Sequence, residues 1–94
     1  MVSSPQPLSF DWDKGNFDKN RKKHDVNNEE CEEVFFDPEK KLLQDVLHSE
    51  KEVRHVLLGR TRSGRVLFIV FTIRAKKVRV ISARDLNKRE KGLL

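Results

Sequence analysis

The most regular stretch of the chain is Arg65 to Arg74, RVLFIVFTIR, where Val66, Phe68 and Val70 alternate with Leu67, Ile69, Phe71 and Ile73. Period-two alternation marks a strand, and apolar residues on both of its faces mark a central one. Three more strands are predicted around it, at Leu42 to Leu47, Val53 to Thr61 and Val78 to Ala83, with turns at Arg62-Ser63-Gly64 and Ala75-Lys76. Upstream the period changes. Leu8 to Trp12 alternates apolar and polar residues after two prolines and predicts a short first strand. Asp13 offers an N-cap for a basic helix to about His24, with Phe17, Asn20 or Arg21, and His24 along one face. Asn27 and Glu30 have capping-box spacing before a second helix over about Asn28 to Phe36, whose apolar stripe is Cys31, Val34 and Phe35 and whose stop is Pro38. Asn87 and Glu90 repeat that spacing and predict a short C-terminal helical turn. The order β-α-α-β-β-β-β predicts an α+β fold, with two N-terminal helices packed on one face of a small antiparallel sheet.

The chain has 94 residues, enough for a single domain over 1–94, with residues 1–7 expected to be flexible. A lone cysteine, Cys31, leaves no internal disulfide and predicts a cytoplasmic protein. The longest apolar run is far too short to span a bilayer, and the polar N-terminus lacks the pattern of a signal peptide, so no membrane partner is expected.

Charge changes the picture more than length does. Residues 1–50 hold 7 Lys/Arg and 12 Asp/Glu, whereas residues 51–94 hold 13 Lys/Arg and 3 Asp/Glu. The net charge of +5 therefore divides into −5 and +10. A concentrated cationic block attracts polyanions whatever their sequence, and nucleic acid is the expected partner.

Several chemistries lack their residues. The chain has no glycine-rich phosphate loop, no C-x-x-C and no H-E-x-x-H. Glu29, Glu30, Glu32 and Glu33 spread around a helix and fit a solvated face better than a metal site, so neither metal nor cofactor is expected. What remains is Arg, Lys, His and Glu. RNA carries its own nucleophile, the 2′-hydroxyl, and its cleavage needs a base, an acid and fixed cations around the phosphorus. Arginine suits the last task because its planar fork meets two phosphate oxygens and stays charged. Arg54 begins one predicted strand, Arg74 and Arg79 flank a tight turn, and Arg84 ends the last strand. Arg79 and Arg84 are an odd number of residues apart, so regular pleating would send them to opposite faces unless a bulge intervenes. His24 closes a basic helix, where its charge suits the helix terminus and catalysis is the alternative. His48 falls in a turn and His55 on a strand. Most aromatics fall at core positions and none follows Phe71, which disfavours a base-stacking RNA-recognition module.

Three stretches together resemble the BrnT family of toxins. The first is Phe10-Asp11-Trp12-Asp13 with Asn20, Lys23 and His24, then Val34-Phe35 before Asp37-Pro38. The second is His48-Ser49-Glu50 with Glu52 and Arg54. The third runs from Gly64-Arg65-Val66-Leu67-Phe68 through Thr72 and Arg74 to Arg79-Val80-Ile81-Ser82-Ala83-Arg84 and Arg89-Glu90. Asp25 stands where that family usually turns with glycine, Phe71 replaces a common tyrosine, and the usual terminal tyrosine is missing. The resemblance implies a RelE-like fold and an endoribonuclease that inhibits translation. It also implies neutralisation by a BrnA-like ribbon-helix-helix antitoxin, with operator DNA met only through the joint complex. Carried over by position, the candidate catalytic residues are His24, Arg54, Arg74, Arg79 and Arg84. Lys23, Arg60, Arg62, Lys76, Lys77, Lys88 and Arg89 are the expected RNA-binding set. The alternative is a catalytically inactive nucleic-acid binder acting as a co-repressor with its antitoxin. A DNA-binding protein in its own right is disfavoured, because the basic block falls on strands rather than on a helix-turn-helix.

Overall fold

A computed structural model describes residues 9–45 and 52–93. Two helices, α1 (Lys19–His24) and α2 (Asn28–Phe35), precede four strands, β1 (Lys41–Asp45), β2 (Arg54–Arg60), β3 (Val66–Arg74) and β4 (Lys77–Asp85). A 3-10 turn follows at Glu90–Leu93, the short C-terminal helical turn that the Asn87 and Glu90 spacing predicts. The strands lie in chain order and pair antiparallel throughout. The fold class is therefore α+β, and β3 is interior, as its two-faced apolar pattern requires.

Two elements differ from expectation. The first strand is reduced to one bridge, Phe10 beside Val78, and it runs parallel. Asp11 N–H donates to the Val78 carbonyl at 2.7 Å and Val78 N–H to the Ser9 carbonyl at 2.8 Å, so this segment seals part of the outer edge of β4. The basic helix also starts later than Asp13. That residue instead closes a separate turn, its carbonyl accepting from Phe17 N–H at 2.7 Å and its carboxylate from Gly15 N–H at 2.8 Å. The turn cannot continue as helix, because Asn16 is drawn into the interior and the chain passes through a left-handed Asp18 (φ 62°) before α1 begins. Phe17 is consequently 60% exposed rather than on a buried helix face. Leu8, residues 1–7, Val46, Leu47 and His48 lie outside the described residues.

The second helix forms as its sequence dictates. Glu30 N–H donates to Asn27 Oδ1 at 2.8 Å, and the Glu30 carboxylate returns an acceptor to Asn27 N–H at 3.1 Å. Val26, Cys31, Val34 and Phe35 then pack on Leu57, Leu67, Ile69, Phe71, Val78, Val80 and Ala83 to form the main core. The other face of the sheet carries a smaller cluster of Val56, Leu58 and Leu86, against which Val66, Phe68 and Val70 are half-buried.

A bulge decides what β4 shows on each face. Val70 pairs with Ser82 but Phe71 pairs with Val80, so Ile81 is an extra residue. Three side chains from the N-terminal turn and α1 hold it. Asn16 Nδ2 donates to the Val80 carbonyl at 3.1 Å, Lys19 Nζ donates to the Ile81 carbonyl at 3.1 Å, and Asn20 Oδ1 accepts from Ala83 N–H at 2.9 Å. Backbone groups that the interrupted ladder leaves without strand partners are thereby satisfied. Because of the extra residue, Val78, Val80 and Ala83 all face the helices. Arg79, opposite Thr72, and Arg84, opposite Phe68, share the other face.

Arg65 locks the helical layer to the sheet. It binds Asp85 through Nε at 2.6 Å and Nη2 at 2.9 Å, reaches Glu30 at 3.3 Å, and donates to the carbonyls of His24 (3.0 Å) and Asp25 (2.6 Å).

Two stability measurements check this account. Asn16→Ala removes donors to Asp11 and Val80 and the acceptor for Asp13 N–H. It is expected to cost about 2–3 kcal/mol, seen as a lower urea midpoint at unchanged m. Asp25 terminates α1 in the left-handed region (φ 56°), so Asp25→Gly is expected to raise stability by about 0.5–1 kcal/mol in the same assay.

Candidate active site

Strand parity brings most of the expected arginines to one place. Arg54 shares its face of β2 with Val56 and Leu58, and Arg74 shares its face of β3 with Phe68 and Val70, so both lie on the face away from the helices. The bulge adds Arg79 to that face. Arg54, Arg74 and Arg79 line one open cavity of about 180 Å³ together with Gly15, Asn16, Lys19 and Glu52. Its cations come from α1, β2, β3 and β4, and its lining includes one carboxylate.

That carboxylate is Glu52. Arg74 grips it with both ends of its fork, Nη2 to Oε1 at 3.0 Å and Nε to Oε2 at 3.1 Å. The Arg74 hydrogen bonds hold the Glu52 carboxyl below its usual range, and the charges of Arg54 and Arg79 push the same way. Glu52 is therefore anionic at neutral pH and surrounded by guanidinium groups. Arg79 is positioned from its back: Nη1 and Nη2 reach Asp13 at 2.8 and 2.9 Å, and Nη1 reaches Asp11 at 3.4 Å. A Cβ at Gly15 would lie 3.0 Å from Arg79 Nη2, so glycine lets the turn come close to this fork. Such an array offers fixed positive charge, bidentate donors and one basic oxygen, which suits a phosphodiester.

Other expected site residues lie elsewhere. His24 is exposed at the end of α1, and its carbonyl accepts from Arg65 on the far side of the Asp85 pair. It therefore serves the helix terminus rather than the cavity. His55 stacks on Phe71 with ring centroids 5.1 Å apart and belongs to the helix-facing side. Arg84 points to the same face as Arg79 but binds Glu90, at 2.7 and 2.6 Å. Arg60 and Arg62 line a larger cavity of about 600 Å³ among Glu29, Glu32, Glu33 and Asp37, where neighbouring carboxylates oppose a phosphate. Lys76 and Lys77 are exposed at the turn between β3 and β4, next to the arginine cavity in sequence and in space. Lys23 is exposed on α1, while Lys88 and Arg89 are exposed on the tail.

Three of the four glutamates of α2 have protein partners of their own: Glu30 binds Arg65, Glu32 accepts from Trp12 Nε1 at 2.8 Å, and Glu33 accepts from Arg62 N–H at 3.0 Å. Cys31 is buried, and burial pushes its thiol up to about 12, with Glu30 and Glu32 adding to the effect. It stays a thiol and is no nucleophile.

A family model for the ribonuclease toxin BrnT of type II toxin–antitoxin systems matches residues 12–90. The chain belongs to the BrnT family. No curated protein sequence matches it. Membership makes this chain a ribonuclease toxin by family, with RNA as the target and an antitoxin as the counterpart. Among the described residues no helix is long and apolar enough to cross a membrane. The matched span covers every residue of the arginine cavity, so this BrnT chain carries the cavity within the family's own domain.

Sequence reasoning missed Lys19, Glu52 and the Asp11–Asp13 buttress as parts of the site. Glu52 could have been found, since it stands two residues before Arg54 and period-two spacing puts both on one face. Nothing local marks Lys19 for the cavity, and the aspartates, although part of the Phe10-Asp11-Trp12-Asp13 stretch, meet Arg79 only through tertiary contacts.

The Arg79–Asp13 pair gives a pH test. Arg79 holds Asp13 below its ordinary 3.8, so the folded chain binds fewer protons there than the unfolded chain does. The stability this contributes is fully present above the ordinary carboxylate value and is lost as pH falls through the lowered folded one. Arg79→Ala is expected to be less stable than the parent at neutral pH, with the gap closing below about pH 4 in urea titrations taken across that range.

Proposed function

We propose that this chain is an endoribonuclease toxin on a RelE-like fold that cuts RNA without a metal ion, using the cavity of Arg54, Arg74, Arg79, Glu52 and Lys19. The observation that carries the proposal is the convergence on one open cavity of four cations, from α1, β2, β3 and β4, and of Glu52 just before β2. Arg54, Arg74 and Arg79 bind the scissile phosphate and neutralise the charge that builds on its oxygens. Glu52 takes the proton of the ribose 2′-hydroxyl. That oxygen forms a bond to phosphorus, and the bond from phosphorus to the 5′-oxygen breaks. Lys19 supplies a proton to the departing 5′-oxygen. The products are a 2′,3′-cyclic phosphate and a 5′-hydroxyl end.

A carboxylate held down by Arg74 is a weak base, and substrate binding corrects this. A phosphate that engages Arg74 competes with Glu52 for the same fork, which frees the carboxylate and lets its pKa rise. RNA thus switches on its own base. In the cell the expected outcome is arrest of translation in the cytoplasm. A BrnA-like ribbon-helix-helix antitoxin would neutralise the toxin and bring operator DNA into the joint complex. The concentration of +10 on residues 51–94 supports a partner that covers cationic surface.

The test is cleavage of single-stranded RNA by the purified toxin in the presence of a chelator. Cleavage is expected to persist, to leave cyclic phosphate ends and to spare strands lacking 2′-hydroxyls. Arg54→Ala is expected to lower the rate by about 10²–10³-fold, and Glu52→Gln by about 10²–10⁴-fold. Intact RNA, bound but uncut by the unaltered chain, would replace this reading with that of a non-catalytic co-repressor.

A further inference from the structure

Arg84 takes no part in the cavity, yet the bulge puts it on the same face as Arg79. Its partner positions on β3 are informative. Arg79 lies opposite Thr72 and Arg84 opposite Phe68, four positions away, a separation of about 13 Å at the usual antiparallel rise. One phosphate cannot span that distance, but a strand crossing the face can present a second.

The Arg84 guanidinium is placed for such a contact. Its carbon sits 4.2 Å from the centroid of the Phe68 ring, over the ring face. Its fork meets the Glu90 carboxylate with two parallel bonds, Nη1 to Oε1 at 2.7 Å and Nη2 to Oε2 at 2.6 Å. This is the geometry in which arginine grips a phosphate.

The segment that delivers Glu90 is lightly fastened. Leu86 is buried, but from Asn87 to Leu93 every residue except Glu90 is exposed, and Leu93 is 50% exposed. Beyond the Arg84 pair, Lys41 Nζ on the Leu93 carbonyl at 3.1 Å ties the segment to the sheet, while the Asn87–Glu90 capping bonds are internal to it. Lifting it uncovers little apolar surface. Exchanging one bidentate anion for another leaves Arg84 satisfied, and the released carboxylate regains water. Lys88 and Arg89, exposed on the same segment, attract the incoming strand.

We propose that Arg84 is a second phosphate subsite for single-stranded RNA, and that Glu90 of the C-terminal segment occupies it until a substrate phosphate displaces it. The inference rests on the ribonuclease reading of this face, but it assigns Arg84 to strand binding and not to bond cleavage. Glu90 is a built-in competitor, and it sets how tightly the toxin holds a strand.

The experiment measures binding of a short 2′-O-methyl oligonucleotide, which keeps its phosphates and lacks the attacking hydroxyl. Glu90→Gln is compared with Glu39→Gln, which makes the same charge change outside both cavity and subsite. Glu90→Gln is expected to bind about three- to fivefold tighter than the Glu39→Gln control, with a salt slope steeper by up to about 0.7. The gain should vanish when Arg84→Gln is added. Equal affinity for the two glutamine variants overturns the proposal, and so does a gain that survives Arg84→Gln. Cleavage of unmodified RNA is assayed separately. Cleavage that depends on Arg54 alongside an unmoved Glu90→Gln affinity would sink the subsite and leave the nuclease standing, while the reverse pattern would do the opposite.

Discussion

The extra residue at Ile81 in β4 is the constraint on which the arrangement of this molecule depends. Without it, pleating would send Arg79 and Arg84 to opposite faces, and one of them would point into the main core. A bulge leaves backbone groups unpaired, and in a half-buried edge strand that would cost more than the displaced charge is worth. Asn16, Lys19 and Asn20 remove that cost by taking the place of strand partners. The bulge and the N-terminal turn are therefore joined through these contacts.

This coupling explains the irregular entry to α1. A helix running from Asp13 would carry Asn16 on its surface, away from the Val80 carbonyl. The turn, the left-handed Asp18 and the late helix start bring Asn16 to the strand and place Gly15 against Arg79. The same segment supplies Asp11 and Asp13, which set the orientation of the Arg79 fork. Structure and site thus draw on the same residues, so the arginine cavity is bound into the fold rather than added to its surface.

Electrostatic balance gives the sheet face its character. Arg74, Arg79 and Arg84 each face a carboxylate, from Glu52, from Asp11 and Asp13, and from Glu90. The Arg74–Glu52 and Arg84–Glu90 pairs are exchangeable for a ligand anion, whereas Arg79 is largely buried and its aspartates hold it in place. The main stabilising charge cluster lies elsewhere, where Arg65 joins Glu30 and Asp85 to the carbonyls between the helices. Under the proposed function, this face of the sheet is where RNA is met.

The sequence alone determined the fold class, the capping box of α2, the central position of β3 and the charge asymmetry, because each follows from spacing or counting within a short window. It also marked Arg54, Arg74 and Arg79, since turn and strand signals put them near one another along the meander. Only the tertiary structure decided that His24 and Arg84 stand apart from them and that Glu52 and Lys19 join them. It alone reduced the first strand to a single bridge. The face of Arg84 and the place of Lys19 depend on one inserted residue and on contacts more than 60 positions apart in the chain, and Glu52 is fixed by Arg74 across the sheet. Local periodicity carries no record of contacts that the chain makes only by folding back on itself.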